Sequence, residues 1–329
     1  MKEREKLIHD WLAGSLGYSG YLLQPASEDA SFRRYYRVTR DADTVIVMDA
    51  PPDKEDSRTF VDITGRLREC DVNAPAVHAV DFERGLLLLD DLGHELYLDV
   101  LQADNVDRLY GDAMTALHRI QAQARVDGLP HYDAALLQRE MNLFGDWLLD
   151  RHLGLSLSRA EQDALERAFR QLIDSARQQP AVFVHRDYHS RNLMYCAGQN
   201  PGIIDYQDAV LGPVTYDLVS LLKDCYIKWP LARVRAWARE FLQSTNHPRL
   251  QGTSEEQWQR WLDLMGVQRH LKASGIFARL CYRDGKPGFL KDVPRTLSHI
   301  VDLAGTWPEL TVLCDIINDR ILPALEDGR

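Results

Sequence analysis

Apolar and polar residues follow two different patterns along this chain. Before Gly93, short apolar or alternating runs predict strands over residues 31–38, 44–51, 75–82 and 85–93, and the first two can pair as a hairpin. Two amphipathic helices accompany them. One lies at the N-terminus, with Leu7, Ile8, Trp11 and Leu12 turned inward; the other has Ser57 as its N-cap and buries Phe60, Ile63, Leu67 and Cys70.

After Gly93 the helical period dominates. One stripe comprises Leu109, Ala113, Leu117, Ile120 and Ala124, a second helix ends at Gly154, and a third begins at Ser158 with Glu161 three residues later. Strand-like runs return only between Val182 and Val210, and further helices follow. The pattern predicts an α+β fold with a small sheet region followed by a larger helical region.

Composition narrows the class of protein. The 329 residues carry a net charge of −10 without a long basic run, which disfavours nucleic acid as a partner. No apolar stretch is long enough to cross a membrane, and the five cysteines are scattered without a CxxC pair. We therefore expect a cytoplasmic protein without a nucleic-acid, membrane or obligate protein partner.

The candidate chemistry is concentrated in VFVHRDYHSRNLMYCAGQNPGIIDYQDAV, residues 182–210. Burying so many charges without partners is costly, so they should be exposed in a cleft, paired or bound to a metal. Asp187 can accept the proton of a hydroxyl group, while Asn192 and Asp205 offer the oxygen ligands that Mg²⁺ prefers. This combination suits phosphoryl transfer.

The segments HRDYHSRNLM and GIIDYQDAVLGPVTYDL, with LLLLDDLG before them, resemble the aminoglycoside phosphotransferase family of small-molecule kinases. The similarity extends from about Ser27 to Tyr282. It implies a two-lobed protein-kinase-like fold, with a small antiparallel sheet lobe over residues 1–92 and a larger, mainly helical lobe over residues 93–329.

The resemblance also implies roles for individual residues. Asp187 matches the catalytic base, Asn192 and Asp205 match the Mg²⁺ ligands, and His185 and Asp217 match residues that brace the catalytic loop. The hinge residues Asp90, Asp91 and Leu92 are expected to meet the adenine of ATP.

Two departures from the family pattern concern the ATP-binding region. Tyr206 and Gln207 follow Asp205, so the DFG triplet of protein kinases is absent. Met48 occupies the strand position where a phosphate-binding lysine is expected, and SEDASF replaces the glycine-rich loop. We expect Ser31 and a nearby arginine to contact phosphate, with Arg34 preferred over Arg33 and Arg37.

Four further segments, ASFRRYYRV, VMDAPP, QDAVLGPVTYDLVSLLKDCY and QRHLKASGIFARL, resemble a group of amino-sugar kinases within this family. That resemblance implies ATP-dependent phosphorylation of the anomeric hydroxyl of N-acetylmuramate or N-acetylglucosamine, in a recycling route towards UDP-N-acetylmuramate. An arginine would suit the lactyl carboxylate of N-acetylmuramate. The candidate sugar contacts are Arg191, Gln207, Asp208, Asp224, Arg269 and Arg279.

Two alternatives remain open from the sequence. The acceptor could be another small hydroxyl compound such as a cationic aminoglycoside, which the acidic net charge would suit. Met48 also keeps open a nucleotide-binding protein without catalytic activity. A zinc site at His185 and His189 is disfavoured because the sequence offers no third ligand near them.

Overall fold

The structure, a computed structural model, describes residues 2–28 and 32–327. Its strands are β1 (Leu22–Glu28), β2 (Arg34–Arg40), β3 (Asp43–Asp49), β4 (Val77–Asp81), β5 (Leu86–Asp90), β6 (Ala181–Val184), β7 (Leu193–Met194), β8 (Gly202–Ile203) and β9 (Val210–Pro213). The α+β class is confirmed, since an antiparallel sheet comes first and a mainly helical region follows.

The helices are α1 (Lys2–Asp10), α2 (Ser57–Glu69), α3 (Tyr97–Val100), α4 (Val106–Gln123), α5 (Ala134–Leu143), α6 (Arg159–Gln178), α7 (Tyr216–Leu222), α8 (Leu231–Ser244), α9 (Glu255–Asp284), α10 (Val293–Val301), α11 (Thr311–Ile316) and α12 (Leu322–Asp327). Segments with π-helical geometry lie at Trp11–Ser15, Phe144–His152 and Ile317–Ile321. Segments with 3₁₀ geometry lie at Pro248–Leu250, Pro287–Asp292 and Pro308–Leu310.

The chain divides into two compact units. The first holds Met1–Asn105 and Asn192–Asp208; the second holds Val106–Arg191 and Ala209–Arg329. The later segment belongs to the first unit because β7 and β8 pair with each other and form bridges to Asn73 and Leu96. These units differ from the lobes predicted from the sequence, whose boundary between residues 92 and 93 stays a prediction.

The first unit is built on an antiparallel sheet in the order β1-β2-β3-β5-β4. The predicted hairpin is confirmed as β2 and β3, which pair from Arg34 and Asp49 to Arg40 and Asp43. Neighbouring side chains of a strand point to opposite faces. On one face, buried side chains of α1 and the following turn pack against strand residues; this cluster comprises Ile8, Trp11, Leu12, Tyr36, Val38, Val47, Leu86 and Leu88.

Helix α2 begins one residue earlier than the predicted cap, Ser57, would require. Asp56, not Ser57, is the N-cap: its carboxylate accepts a hydrogen bond from the Arg58 backbone N–H at 3.0 Å. Ser57 is the first helical residue. The carboxylate of Asp56 also accepts a bond from Thr59 at 2.7 Å, so Asp56 is the better-placed acceptor for the exposed donors of the first turn.

The second unit surrounds the long helix α9, which packs against α5, α6, α7, α10 and Phe144–His152. Gly275 allows the closest approach, because a Cβ there would meet the backbone of Leu143 and lie 2.6 Å from the Phe144 nitrogen. The predicted capping of α6 is confirmed by reciprocal bonds between Ser158 and Glu161. Across residues 2–28 and 32–327, none of the helices is long and apolar enough to cross a lipid bilayer.

Candidate active site

The catalytic-loop residues of the second unit follow β6 directly. Strand β6 is buried from Val182 onward and pairs with β9, which fixes where the loop starts. The backbone nitrogens of His185 and Arg186 then donate to the carboxylate of Asp217 at 2.6 and 3.0 Å. Arg186 has φ of 79°, a left-handed conformation that is costly for a side-chain-bearing residue. The hydrogen bonds to Asp217 help to hold this turn.

Asp217 is fully buried at the N-terminal turn of α7. Its burial raises the pKa of its carboxyl group to about 7, although the bonds from His185 and Arg186 favour the charged form. The ring of His185 is also fully buried, and its Nδ1 accepts a hydrogen bond from the Asp187 backbone N–H at 3.3 Å. These hydrogen bonds connect both residues to the backbone of the loop, and their bracing role stays a prediction.

Asp187 is the accessible carboxylate of this loop, with 44% of its side chain exposed. Burial of the carboxyl group opposes ionisation, but electrostatic interactions with Lys272, His189, Arg269 and Arg186 outweigh this and lower the pKa of Asp187 to about 2. The carboxylate is therefore ionised at neutral pH and can accept a hydrogen bond from a hydroxyl group.

Two of the cations near Asp187, Arg186 and Lys272, form ion pairs with a buried glutamate. Glu140 on α5 pairs with Arg186 at 2.5 Å and with Lys272 at 3.2 Å, and it accepts a very short hydrogen bond from Tyr132. Lys272 also donates to the hydroxyl of Tyr216 at 2.9 Å. Sequence reasoning missed Glu140 and Lys272, because helical segments far from the motif supply them and no local spacing connects them to Asp187.

The carboxylate of Asp224, a predicted sugar contact, is engaged in hydrogen bonds within the second unit. It is fully buried and accepts bonds from the Ser190 hydroxyl at 2.5 Å, the Ser190 nitrogen at 2.9 Å and the Tyr226 nitrogen at 2.9 Å. These contacts hold the loop after Asp187. Asp224 thus has a structural role in the loop, while its predicted contact with the acceptor stays a prediction.

The candidate arginines of the second unit lie in different surroundings. Arg269 is buried, donates to the Cys225 sulfur at 3.4 Å and contributes charge at Asp187. Arg191 is exposed and lies over the rings of Tyr226 and Phe289, at 4.8 and 5.4 Å from their centroids. Arg279 is only partly buried, and within residues 2–28 and 32–327 its Nε has no hydrogen-bond partner.

His189 is a candidate that sequence reasoning set aside with the zinc hypothesis. Its ring is buried, and its Nε2 lies 4.0 Å from the Asp187 carboxylate. The ring packs edge-on against Tyr226 at 5.4 Å, and Nδ1 has no hydrogen-bond partner among the residues that the structure describes. Burial lowers the pKa of His189, so the neutral ring offers one donor and one acceptor beside Asp187.

The first unit brings the two predicted metal ligands together. The Asn192 amide donates to the Asp205 carboxylate at 3.2 Å, and the Gln207 amide donates to the same carboxylate at 2.9 Å. Asp205 has a left-handed φ of 64°. Asp208 is exposed nearby in sequence. Gln207 thus orients Asp205, while its predicted contact with sugar stays a prediction, as does that of Asp208.

Tyr206 anchors the loop that carries Asp205. Its ring is fully buried and stacks on Phe60 of α2 with centroids 5.2 Å apart. Its hydroxyl forms a 2.8 Å hydrogen bond with the hydroxyl of Thr64, one turn further along α2. The tyrosine that follows Asp205 in place of phenylalanine therefore has both an apolar and a polar anchor.

The side chains of the predicted hinge are engaged in holding the first unit. Asp90 accepts bonds from the Ala76 nitrogen at 2.8 Å and forms a 2.7 Å contact with His78. Asp91 pairs with Arg37 through bonds of 2.5 and 3.0 Å. The Leu92 carbonyl lies 3.6 Å from the Cys196 sulfur. Any contact of these residues with adenine would therefore use backbone groups, and that contact stays a prediction.

The three arginines near the phosphate region also differ. Arg34 is exposed and shares the sheet face of Tyr36, against which α1 packs. Arg37 is bound to Asp91 and to the Gly93 carbonyl at 2.7 Å. Arg33 is buried and lies 3.7 Å from the carboxylate of Asp205. Ser31, the predicted phosphate contact, lies outside the described residues.

The donor set in the first unit suits magnesium. Among the residues that the structure describes, no three His, Cys, Asp or Glu side chains cluster as a metal site. Asn192 and Asp205 together offer amide and carboxylate oxygens, the hard donors that Mg²⁺ takes from proteins while it keeps water and phosphate ligands.

Comparison with known proteins agrees with this geometry. Residues 22–263 match the profile of the phosphotransferase enzyme family (APH). The chain belongs to this family. A family member from Pseudomonas putida, named N-acetylmuramate/N-acetylglucosamine kinase, is 49% identical over 296 residues, which cover 90% of this chain and 87% of that protein. A protein of the same name from Neisseria meningitidis is 34% identical and covers 97% and 98% of the two chains.

Solved structures confirm the kinase-like fold of this phosphotransferase. The ADP-bound aminoglycoside phosphotransferase APH(2'')-Ib matches with a TM-score of 0.60 at 16% identity, over 89% of this chain and 97% of that one. Choline kinase LicA from Streptococcus pneumoniae matches with a TM-score of 0.63 at 11% identity, over 90% and 98% of the chains. At these identities the likeness concerns the fold alone.

Proposed function

We propose that this phosphotransferase transfers the γ-phosphate of ATP to the anomeric C1 hydroxyl of N-acetylmuramate and N-acetylglucosamine. The proposal is carried by the 49% identity over 296 residues to a kinase named for those sugars. The ionised Asp187 of the second unit, and Asn192 and Asp205 of the first unit, which are hydrogen-bonded to each other, are the groups that phosphoryl transfer needs.

In this reaction the C1 oxygen of the sugar attacks the γ-phosphorus of ATP. The bond between that phosphorus and the oxygen bridging to the β-phosphate breaks, and ADP leaves. Asp187 orients the hydroxyl and accepts its proton. A carboxylate whose pKa is about 2 is a weak base, but the anomeric hydroxyl is more acidic than an ordinary alcohol. Orientation is therefore the larger part of the role of Asp187.

Asn192 and Asp205 would hold Mg²⁺ through their side-chain oxygens. When bound, Mg²⁺ offsets negative charge on the phosphates. Gln207 fixes the orientation of the Asp205 carboxylate through its 2.9 Å hydrogen bond, and Tyr206 fixes the loop through α2. These residues thus keep the oxygen donors in place before the ion arrives.

Arg191 and Arg269 are our candidates for the lactyl carboxylate of N-acetylmuramate. The exposed Arg191 offers donors supported by two aromatic rings, and the buried Arg269 already contributes charge at Asp187. The product would be a sugar 1-phosphate that enters the route towards UDP-N-acetylmuramate. A cytoplasmic location belongs to the same proposal, since all five cysteines are free and ATP is the phosphate donor.

Phosphorus NMR of the product tests this function. The protein is incubated with ATP, Mg²⁺ and, in separate reactions, N-acetylmuramate, N-acetylglucosamine or kanamycin. A sugar 1-phosphate from an N-acetyl sugar is the expected product. A 6-phosphate would contradict the anomeric chemistry. Phosphorylated kanamycin without sugar phosphate would favour aminoglycosides as acceptors, and the absence of any product would contradict the proposed acceptors.

A further inference from the structure

Strand β3 lacks a cation at the position where the family resemblance predicts a lysine. Met48 occupies it and is fully buried. It pairs with Tyr35 of β2, so it lies on the sheet face opposite the α1 cluster. A thioether cannot offset the charge of a phosphate group. Another side chain of the first unit must supply that positive charge if this chain binds ATP productively.

Two neighbouring arginines are unsuitable for geometric reasons. Arg34 lies on the face of the sheet that packs against α1. Arg37 is fixed by its bidentate pair with Asp91 and by its bond to the Gly93 carbonyl. Moving Arg37 to a phosphate would leave Asp91, whose side chain is only 4% exposed, without its cation.

Arg33 has the required surroundings. Only 7% of its side chain is exposed, and its guanidinium lies between two carboxylates. Its Nη2 is 3.7 Å from Asp205 and its Nε is 3.9 Å from Glu55. Glu55 also accepts a hydrogen bond from the Phe32 nitrogen at 3.1 Å, so it holds both the backbone and the charge at the start of β2.

We propose that Arg33 takes the place of the missing lysine and binds the phosphates of ATP. This assignment rests on the proposed function, in which Asp205 is a Mg²⁺ ligand. A phosphate that shares a Mg²⁺ ion with Asp205 must lie close to that carboxylate, because Mg²⁺–oxygen distances are about 2 Å. A guanidinium 3.7 Å from Asp205 is then within reach of the phosphate oxygens.

The position of Arg33 also explains how a buried cation is tolerated before nucleotide binds. Glu55 and Asp205 compensate its charge, so burial does not leave it unpaired. A guanidinium has five N–H donors in a planar fork, so Arg33 can keep Glu55 as an anchor while it donates to phosphate. The ion pair with Glu55 orients the guanidinium of Arg33, and the phosphate supplies an additional acceptor.

Calorimetric binding of ATP, ADP and adenosine, with Mg²⁺ and without sugar, tests the assignment. The Arg33→Ala variant should bind ATP and ADP about 10- to 100-fold more weakly, the range expected for a charged hydrogen bond, and adenosine with unchanged affinity. Arg33→Lys should recover part of the loss, because lysine keeps the charge but not the fork. Because no sugar is present, the result is independent of the acceptor.

Two variants serve for comparison. Arg34→Ala tests the rival arginine, and Arg40→Ala removes an equal charge from the far end of β2, where Arg40 lies over the ring of Tyr18. Both should bind ATP as the unaltered protein does. Equal weakening of ATP and adenosine by Arg33→Ala would indicate a general defect and overturn the assignment. Unchanged ATP binding, or a loss in Arg34→Ala instead, would also overturn it.

Discussion

Asp187 and Asp205 belong to one short stretch of sequence, yet their surroundings are built differently. Asp187 faces Lys272, Arg269 and Arg186, of which two are held by the buried Glu140 at 2.5 and 3.2 Å. Asp205 faces Arg33 at 3.7 Å and accepts shorter hydrogen bonds from amide groups.

The difference matches the two proposed tasks. A base must stay ionised and correctly aimed, and a fixed network of buried cations provides both. A metal ligand must instead change partners when the ion binds, and neutral amides together with a more distant cation allow that change. The charge balance at Asp187 is therefore built into the second unit, whereas under the proposed function that at Asp205 would be completed by nucleotide and metal.

The largest expected effect is a loss of turnover, and ATP binding then distinguishes the role of Asp187 from that of Asp205. Asp187→Asn should reduce turnover by about a hundredfold to ten-thousandfold, the usual contribution of a general base, and leave Mg²⁺-dependent ATP binding intact. Asp205→Asn should reduce both, because it removes a metal ligand. Steady-state kinetics and calorimetry measure the two quantities. Wild-type-like turnover in Asp187→Asn would remove Asp187 from the mechanism.

The stability of the protein should depend on the ion pairs that Glu140 forms with Arg186 and Lys272. Glu140→Gln leaves Arg186 and Lys272 without their shared carboxylate, and we expect the free energy of unfolding to fall by about 3–5 kcal/mol. Urea denaturation measures it. Glu166→Gln is the matched control, because Glu166 pairs with Arg170 on the surface, where such pairs contribute about 0–1 kcal/mol. Equal losses in both variants would contradict the network.

Asp217 should make stability depend on pH near neutrality. Its pKa in the folded protein is raised to about 7, above the ordinary value of 3.8, so the folded state binds more protons between these values. The free energy of unfolding should therefore fall as the pH rises through about 7. Unfolding experiments between pH 5 and 8 measure this slope, and Asp217→Asn should lose it.

Asp187 should be coupled to this titration. Burial is the main cause of the raised pKa of Asp217, and the negative charge of Asp187 raises it further. In Asp187→Asn the pH-dependent loss of stability should therefore end at lower pH, because the pKa of Asp217 falls and its ionised form is penalised less. An unchanged midpoint, measured by the same unfolding series, would mean that the two carboxylates do not interact.

The sign of that shift follows from the linkage between proton binding and folding. The stabilising effect of protonated Asp217 is fully present below about pH 4 and is lost as the pH rises through the folded pKa. A lower folded pKa in Asp187→Asn makes the loss smaller and completes it at lower pH. The expected result is therefore a shallower slope that ends earlier, and the decisive quantity is the pH at which the slope ends.

The smallest expected effects compare two buried tyrosines that anchor the two loops. Tyr206→Phe removes the 2.8 Å hydrogen bond to Thr64, and Tyr188→Phe removes the 2.8 Å bond to the Ala113 carbonyl. Each should lower the free energy of unfolding by about 1 kcal/mol. Thermal or urea unfolding measures both. A much larger loss in either variant would mean that its loop depends on that single bond.

Several parts of the fold could be predicted because local sequence determines them. The β2–β3 hairpin and the capping of α6 by Ser158 and Glu161 rest on strand pattern and short-range hydrogen bonds. β1 was missed because Pro25 interrupts its pattern; the strand lies at the sheet edge, with an irregular register beside that residue. The exact cap of α2 differed because Asp56 and Ser57 are both good caps, and one position decided between them.

The features of the candidate site also fall into two groups, those predicted from the sequence and those that only the structure revealed. The sequence by itself was enough to select Asp187, Asn192 and Asp205 as candidates, because their spacing is local and each chemistry requires a particular residue type. Only the tertiary structure decided that Asp224 is buried in loop contacts, that Glu140 and Lys272 set the charge at Asp187, and that Arg33 rather than Arg34 lies beside Asp205. Those outcomes depend on burial and on charges that distant segments bring together, and no pattern of neighbouring residues encodes them.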